Sequence, residues 1–284
     1  MSLLVNKPEK NGRVAVIDGD PLVYRIGFAN EKKIYKKDGE EFEGARAVKE
    51  VYPDADMTEW EVEIRPAPVN HLYNSIHLVM QAILDQTESD DYALYIGGKD
   101  NFREQVAVSH KYKGTRDGLH KPHHYHNARN FLVEAYGGVV IDGIEADDAV
   151  SIHHLSLPDS VLCTIDKDMD MIEGWHYNYA KGQMYYVSEH EALVNFYAQM
   201  LSGDTSDNIV GIRGVGKKKA HKWLREAETE QEMIDVVFPH YIFEFGDEAQ
   251  NRWCENAQLL WMLREPEGWW TMPEYVQEKF NEQV

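Results

Sequence analysis

Acidic residues recur in this sequence where apolar runs end, in a pattern typical of a divalent-metal site. Carboxylates repel one another, so a fold keeps several together only when a cation offsets their charge. Ligand sets made of oxygen alone suit Mg²⁺ or Mn²⁺. The acidic residues that could form such a set are Asp18, Asp20, Glu145, Asp147, Asp148, Asp166, Asp168, Asp204 and Asp207.

Such a set could hold two divalent ions about 3.5–4 Å apart, which is the arrangement that supports phosphodiester cleavage. Each cluster alone has a simpler interpretation. Acids at 145–148 could cap a helix, because helix N-termini favour negative charge. The acids at 166–168 could belong to an ordinary loop. The metal hypothesis therefore depends on whether the fold brings the clusters together.

The elements that would position these acids form an alternating pattern. Helical patterns between short apolar runs predict an α/β domain with a parallel sheet. The carboxyl ends of parallel strands form one ligand-binding edge, so acids after different strands would meet there. The predicted strands are Val14–Ile17, Tyr92–Ile96, Gly138–Ile141, Val161–Ile165 and His176–Tyr179, and the predicted helices are Asn70–Gln86, His123–Tyr136 and Ala146–Leu155.

A second pattern, glycines followed by lysines shortly after Asp204 and Asp207, could bind a phosphate. Glycines allow close approach of a backbone, and the following helix would offer free N–H groups. The stretch 213–225 holds six bases and no acid. The alternative is a solvated basic helix end. The candidate DNA-binding residues here are Gly214, Gly216, Lys217, Lys218 and Lys219.

A third pattern is basic and aromatic. Residues 110–129 hold five bases and one acid, with tyrosines among them. Aromatic rings can stack on bases while cations contact phosphates, although an exposed polar loop would look the same. The candidate DNA-binding residues are Lys111, Tyr112, Lys113, Arg116 and Lys121.

Composition sets outer limits. The 284 residues carry a formal charge of -20, which alone disfavours a polyanion ligand. The acid excess is uneven, with 14 acids and three bases in 226–284, so DNA is expected to touch only narrow basic tracks. Two cysteines suggest a reduced, cytoplasmic protein. The sequence has no stretch of 18 apolar residues, so we expect no membrane span. We also expect a monomer.

Taken together, the motifs resemble those of the bacteriophage and bacterial 5′-to-3′ exonucleases, the flap endonuclease family. The chain looks most like the exonucleases of short-tailed phages similar to T7. The resemblance runs from about Val14 to about Leu224. It is carried by Asp18-Gly-Asp20, Tyr112 to Arg116, Glu145 to Asp148, Asp166-Lys-Asp168, Gly203 to Ile209 and Gly214-Val-Gly216.

The resemblance implies a PIN-like α/β fold, with a parallel sheet flanked by helices, a helical arch and a helix–three-turn–helix element for duplex DNA. We expect a nuclease core over 1–195, with an insertion at about 30–65 and the arch at about 111–130. A helical region over 196–284 would hold the DNA-binding element and acidic C-terminal helices.

The resemblance also implies Mg²⁺-dependent hydrolysis of DNA to products with a 5′-phosphate. Two Mg²⁺ ions are expected, Mn²⁺ could replace them, and K⁺ could bind at the helix–three-turn–helix. Lys113, Arg116, Asp147 and Asp148 are the implied catalytic residues. The implied metal ligands are Asp18, Glu145, Asp147, Asp148, Asp166, Asp168, Asp204 and Asp207.

The expected partners are DNA with a free 5′ end, whether duplex, nicked or flapped, an RNA–DNA hybrid, and replication proteins. The role would lie in phage DNA replication, host DNA degradation or primer removal. Family members usually carry an aspartate just after the second strand, where this chain has Gly98, and Asp100 could substitute. Two alternatives stay open: a PIN-type RNase, and a catalytically silent protein that binds branched DNA.

Overall fold

The structure is a computed structural model that describes residues 12–116 and 118–283. Its strands are β1 Val14–Asp18, β2 Glu31–Lys37, β3 Glu40–Glu43, β4 Glu61–Pro66, β5 Asp91–Gly97, β6 Val139–Ile141, β7 Ser160–Cys163, β8 Gly174–Asn178, β9 Gln183–Val187, β10 Gly203–Asp204 and β11 Ile209–Val210. Its α-helices are α1 Asp20–Ala29, α2 Gly44–Val51, α3 Val69–Thr87, α4 Arg103–Val106, α5 Tyr125–Tyr136, α6 Ala146–Ser156, α7 Glu189–Ser202, α8 Lys217–Leu224, α9 Glu230–Phe245, α10 Ala249–Leu260 and α11 Glu274–Asn281.

A six-stranded sheet in the order β6-β5-β1-β7-β8-β9 forms the centre of the fold. All neighbours are parallel except β8 and β9, which are antiparallel. The five predicted strands are confirmed as β1, β5, β6, β7 and β8, and the three predicted helices as α3, α5 and α6. The predicted α/β fold with a mainly parallel sheet is therefore confirmed, and β9 is an additional edge strand.

Successive side chains of β1 point to opposite faces of the sheet and pack against a layer of helices on each face. Ala15 and Ile17 are buried in a cluster with α1, α3 and α5 on one face. Val16 is buried in a second cluster with α6, α7 and the C-terminal helices on the other face. The carboxyl edge of the sheet is consequently left between two fixed layers.

The predicted insertion at 30–65 is a separate unit beside the central sheet. Its strands pair as an antiparallel sheet in the order β3-β2-β4, and α2 packs against them. Trp60 is buried there, with its ring centroid 5.6 Å from that of Phe42. The two ends of the unit meet where the Ala67 amide donates to the Asn30 carbonyl at 2.8 Å.

The segment predicted as a helical arch, 111–130, contains little helix. Its described residues form a short 3-10 turn at Gly114–Arg116 and irregular chain until α5 begins at Tyr125. One end of the segment is bound where the Lys113 amide donates to the Asp207 carbonyl at 2.9 Å. Further along, the His123 amide donates to the Glu31 carboxylate at 2.8 Å.

Helices α7 and α8 are joined by a compact loop that contains the short antiparallel pair β10-β11. The loop depends on glycine because a Cβ at Gly203 would stand 2.3 Å from the Ile209 carbonyl oxygen, and Gly203 has a φ of +65°. The boundary expected between 195 and 196 falls inside α7. The same buried cluster joins α7 to the central sheet and to the C-terminal helices.

The C-terminal helices are tied to the sheet edge by one buried arginine. Arg103 forms a bidentate ion pair with Asp148, with Nη–Oδ distances of 2.5 and 2.8 Å. Its Nε donates to the Leu259 carbonyl at 2.9 Å, and its Nη2 donates to the Trp261 carbonyl at 2.7 Å. This side chain therefore joins the loop after β5, the start of α6 and the segment after α10.

No α-helix within 12–116 and 118–283 is long and apolar enough to cross a lipid bilayer. Both cysteines, Cys163 and Cys254, are free thiols.

Removing one partner of the Arg103–Asp148 pair should strongly destabilise the fold. Asp148→Asn removes the bidentate partner of a buried guanidinium and leaves it only Glu145, at 3.5 Å, which should lower the free energy of unfolding in urea by about 3–5 kcal/mol. The double variant Arg103→Met/Asp148→Leu, which removes both charges, should lose less than the single variant. A loss below about 1 kcal/mol in Asp148→Asn would contradict this account.

Candidate active site

A cavity of about 440 Å³ opens at the carboxyl edge of the central sheet. It lies beside the ends of β1 and β5 and between the loops that follow β6 and β7, where the sequence predicts that the acids meet. The acidic and basic side chains that line it are Asp18, Asp20, Lys99, Asp100, Arg103, Glu104, Lys113, Arg116, Arg129, Glu145, Asp147, Asp166, Asp168, Asp204 and Asp207.

Asp18 and Asp147 are two carboxyl groups of this edge whose pKa values are raised. Burial, followed by the charge of Asp20, raises the pKa of Asp18 to about 8. Burial, followed by the charge of Glu145, raises the pKa of Asp147 well above its ordinary value. Thr164 donates a hydrogen bond to Asp18 at 2.9 Å. Ionisation of both carboxyl groups therefore destabilises the folded protein when no metal is bound.

The segment at 112–116 meets the turn at 204–208 over the cavity. Lys113 forms an ion pair with Glu145, and Arg116 forms one with Asp207 at 2.5 Å. The Tyr112 hydroxyl lies 2.9 Å from an oxygen of each of these two acids. Two motifs about 90 residues apart in sequence are therefore joined by opposite charges.

Tyr112, predicted to stack on nucleic-acid bases, is buried in the metal-free protein, although it lines the cavity. Its ring is buried, with 6% of the residue exposed, within the core cluster that includes Ile209. A buried ring offers no free face to a base. Lys111 and Lys121 are exposed beside it, and the Lys121 ammonium lies 4.5 Å from the Tyr125 ring centroid.

The acids after β7 meet the basic helix α8. Lys217 Nζ lies 3.0 Å from Asp168, which also accepts a hydrogen bond from Gln199. Burial and then the charges of Asp166 and Asp204 raise the pKa of Asp168 to about 7. The Asp166 carboxylate accepts from the Asp168 amide at 2.9 Å, so a local turn and the cavity use the same residues.

The loop before α8 leaves room for a ligand. Gly214 has a φ of +75°, a conformation that favours glycine, and no atom lies within 4 Å of a Cβ built at Gly214 or Gly216. Lys218 and Lys219 are exposed, and Lys219 Nζ lies 4.8 Å from the Trp223 ring centroid. The candidate phosphate-binding residues of this loop are thus together and accessible.

Asp148 does not line the cavity of the metal-free protein, and its role as a metal ligand and catalytic residue stays a prediction. Its Oδ1 accepts from Arg103 at 2.8 Å and from the Leu263 amide at 3.0 Å. Its Oδ2 accepts from Arg103 at 2.5 Å and from the Glu145 amide at 3.1 Å. All four acceptor positions of the carboxylate are therefore used within the protein. The simpler interpretation, a helix-capping role, applies to this residue.

Gly98 has no room for the acid that the family carries there. A Cβ at this position would stand 2.0 Å from Oδ1 of Asp142, which accepts a hydrogen bond from the Lys99 amide. Asp100 lines the cavity, and its backbone has a φ of +61°. Its substitution for the missing acid stays a prediction.

The donor chemistry of the cavity fits hard divalent cations, because carboxylate oxygen is what Mg²⁺ and Mn²⁺ prefer. Burial and then neighbouring carboxylates raise the pKa values of Asp18 and Asp147, and a bound cation would offset this concentration of negative charge. Within 12–116 and 118–283, no three acidic, histidine or cysteine side chains form a preassembled metal-binding group. Several acids instead face lysine and arginine of the chain.

Sequence reasoning missed the residues that support this site. Arg103 stands alone in a polar loop, and no spacing signal indicates that it reaches Asp148. Gln199 lies on the buried side of α7, where nothing in the sequence links it to Asp168. Arg129 was counted only as part of a basic segment, although its position in α5 would have suggested a fixed orientation.

Comparison with known proteins supports this architecture. No protein-family model matches the chain, and no curated protein matches it in sequence. Among solved structures, bacteriophage T5 5′-exonuclease with bound zinc has a TM-score of 0.56 at 17% identity, covering 87% of this chain and 89% of that one. A pseudo-enzyme–product complex of bacteriophage T5 flap endonuclease with DNA and metal ions has a TM-score of 0.58 at 14% identity, covering 87% and 88%.

A third structure, of the bacteriophage T5 protein crystallised with metal ions, has a TM-score of 0.54 at 17% identity, covering 87% and 88%. These similarities define the class of fold: the chain has the α/β fold of the 5′-exonucleases and flap endonucleases. One solved protein that shares this fold is the bacteriophage T5 5′-exonuclease.

Asp18→Asn should stabilise the metal-free protein and remove its response to metal. The Asp18 pKa of about 8, against an ordinary 3.8, means that ionisation lowers the free energy of unfolding as pH rises between these values. In EDTA at pH 8 the variant should therefore melt at least about 2 °C above wild type, with little difference near pH 4.

Millimolar Mg²⁺ should raise the melting temperature of wild type more than that of Asp18→Asn. The control is Asp54→Asn, which removes the same charge from an exposed site of the insertion and should change neither quantity. Equal melting temperatures of Asp18→Asn and wild type at pH 8 in EDTA would refute the account.

Proposed function

We propose that the protein is a metal-dependent 5′-to-3′ exonuclease and 5′-flap endonuclease that hydrolyses DNA and leaves 5′-phosphate products. The observation that carries the proposal is the meeting of carboxylates from three sheet-edge clusters and the 204–208 turn with Lys113 and Arg116 in one cavity. The fold shared with the T5 5′-exonuclease supports it. Kinship with the exonucleases of T7-like phages rests on the motifs alone.

Two Mg²⁺ ions are the proposed cofactors, with Mn²⁺ able to replace them and K⁺ at the loop before α8. Bound ions would supply Lewis-acid stabilisation of charge on the phosphate oxygens. The residues proposed to hold them are Asp18, Glu145, Asp147, Asp166, Asp168, Asp204 and Asp207.

Lys113 is proposed to act as a cation and not as a base. Burial acts to lower its pKa, but the charges of Glu145, Asp207 and Asp147 together outweigh burial and raise it, so the amine is protonated at neutral pH. Lys113 and Arg116 face acids in the free protein. On substrate binding they would turn to the scissile phosphate, where fixed positive charge stabilises the charge that develops during cleavage.

Duplex DNA is proposed to lie across the loop before α8 and past the exposed lysines at 111 and 121. The glycines at 214 and 216 let a phosphate approach the backbone, and Lys218 and Lys219 add charge beside it. The segment at 111–116 connects this track to the cavity. A free 5′ end would thus be cleaved near the acids while the duplex is held at the loop before α8.

The first test is cleavage of 5′-labelled flapped, nicked and blunt duplex DNA, an RNA–DNA hybrid and RNA, with Mg²⁺ and with EDTA. Wild type should cleave DNA only with the metal. Asp147→Asn should abolish cleavage, and Lys113→Ala should slow it about 10²–10³-fold by removing one fixed charge. The exposed-site control Asp54→Asn should cleave like wild type.

Preferred cleavage of RNA would favour a PIN-type RNase. Tight binding of flapped DNA without cleavage in either Mg²⁺ or Mn²⁺ would favour a silent binding protein. Cleavage by Asp147→Asn at the wild-type rate would refute the proposed site.

The second test concerns the basic loop. Replacing Lys218 and Lys219 by alanine should weaken duplex binding and reduce the slope of log K against log salt by about one to two. The control Lys32→Ala/Lys33→Ala removes equal charge from an exposed strand of the insertion and should leave the slope unchanged. Equal slopes for the Lys218/Lys219 variant and wild type would exclude this loop as a DNA contact.

A further inference from the structure

Strand β5 ends beside the cavity in glycine, and a second glycine follows it directly. It lies between β6 and β1 in the sheet. Asp18 stands at the end of β1, and acids follow both β6 and β7 along the chain. At the end of β5 stand Gly97 and Gly98, and the position of Gly98 has no space for a side chain.

The carboxylate of Asp20 fills the place next to this strand end. Asp20 is in the first turn of α1, directly after β1. Its Oδ2 accepts a hydrogen bond from the Gly97 amide at 3.1 Å. A Cβ at Gly97 would stand 2.6 Å from the same oxygen, and the only atoms near that Cβ belong to Asp20. The glycine therefore makes the space that the aspartate occupies.

Arg129 of α5 holds the same arrangement from the other side. Its Nη2 donates to the Gly97 carbonyl at 2.7 Å, and its Nη1 lies 3.3 Å from Oδ1 of Asp20. The carboxylate is thus fixed in orientation by a backbone amide and a guanidinium. It lines the cavity together with Asp18 and Asp147.

We propose that Asp20, reaching across from α1, supplies the metal-binding carboxylate that β5 lacks, and that Gly97 is the residue that allows it to do so. The inference rests on the proposed function, because it adds a ligand to the proposed metal site. Asp20 would act with Asp18 and Asp147, which also line the cavity. Asp100, the rival from the sequence, is exposed on the loop beyond Gly98 and holds no such fixed position.

The test is Mn²⁺ binding to the full chain without DNA, measured by electron paramagnetic resonance of the free ion. Asp20→Asn should weaken binding at least about tenfold, and Asp100→Asn should leave it unchanged. Asparagine keeps the size of aspartate and an oxygen acceptor for the Gly97 amide, so the fold is preserved. A urea unfolding curve for each variant checks this.

Gly97→Ala gives a second, independent variant, since it leaves every carboxylate in place and displaces only that of Asp20. It should weaken Mn²⁺ binding by a similar factor. Because both changes act through one side chain, Asp20→Asn/Gly97→Ala should bind Mn²⁺ no more weakly than Asp20→Asn alone. Additive losses would show that Gly97 acts through something other than Asp20, and would overturn its assigned role.

Wild-type Mn²⁺ affinity in Asp20→Asn, or loss of affinity in Asp100→Asn alone, would overturn the inference. The result is separable from that of the proposed function. If wild type cleaves DNA while Asp20→Asn binds Mn²⁺ normally, the nuclease stands and the inference fails. If Asp20→Asn loses Mn²⁺ binding while wild type cleaves no nucleic acid, the inference stands and the nuclease fails.

Discussion

Mutual repulsion of carboxylates at one edge of the sheet is the constraint that shapes this molecule. Parallel strands bring their carboxyl ends together, and this chain places acids after three of them. In the free protein, lysine and arginine from two distant segments, 112–116 and the start of α8, turn inward to offset part of that charge. Lys113 faces Glu145, Arg116 faces Asp207, and Lys217 faces Asp168. The same cations are those best placed to meet a polyanion, so ligand binding and charge balance are coupled.

Arg103 neutralises a further carboxylate that lies beneath this edge, in the protein core. The pair of adjacent acids at the start of α6 separates into one that faces the cavity and one that faces the core. The inward residue, Asp148, is neutralised by a guanidinium that also binds two carbonyls of the C-terminal segment. The strongly acidic C-terminal helices, although far along the chain, thereby help to hold the carboxyl edge of the sheet beside the cavity.

The sequence predicted the strands and the acids that follow them, because those depend on local periodicity and on a general property of parallel sheets. It could not distinguish Asp147 from Asp148. That distinction depends on Arg103 and on the Leu263 amide, 45 and 115 residues away from Asp148. The sequence did not predict the burial of Tyr112 for a similar reason. Its basic neighbours suggested exposure, whereas the acids that its hydroxyl contacts lie 33 and 95 residues away.

The insertion built from β2, β3, α2 and β4 has a further consequence. Its entry and exit lie side by side, because β2 and β4 pair from Glu31 and Pro66 onward and the Ala67 amide donates to the Asn30 carbonyl. Replacing a unit whose two ends lie together costs the remaining domain little loop-closure entropy. The insertion is therefore a natural position at which to fuse a second protein to this one.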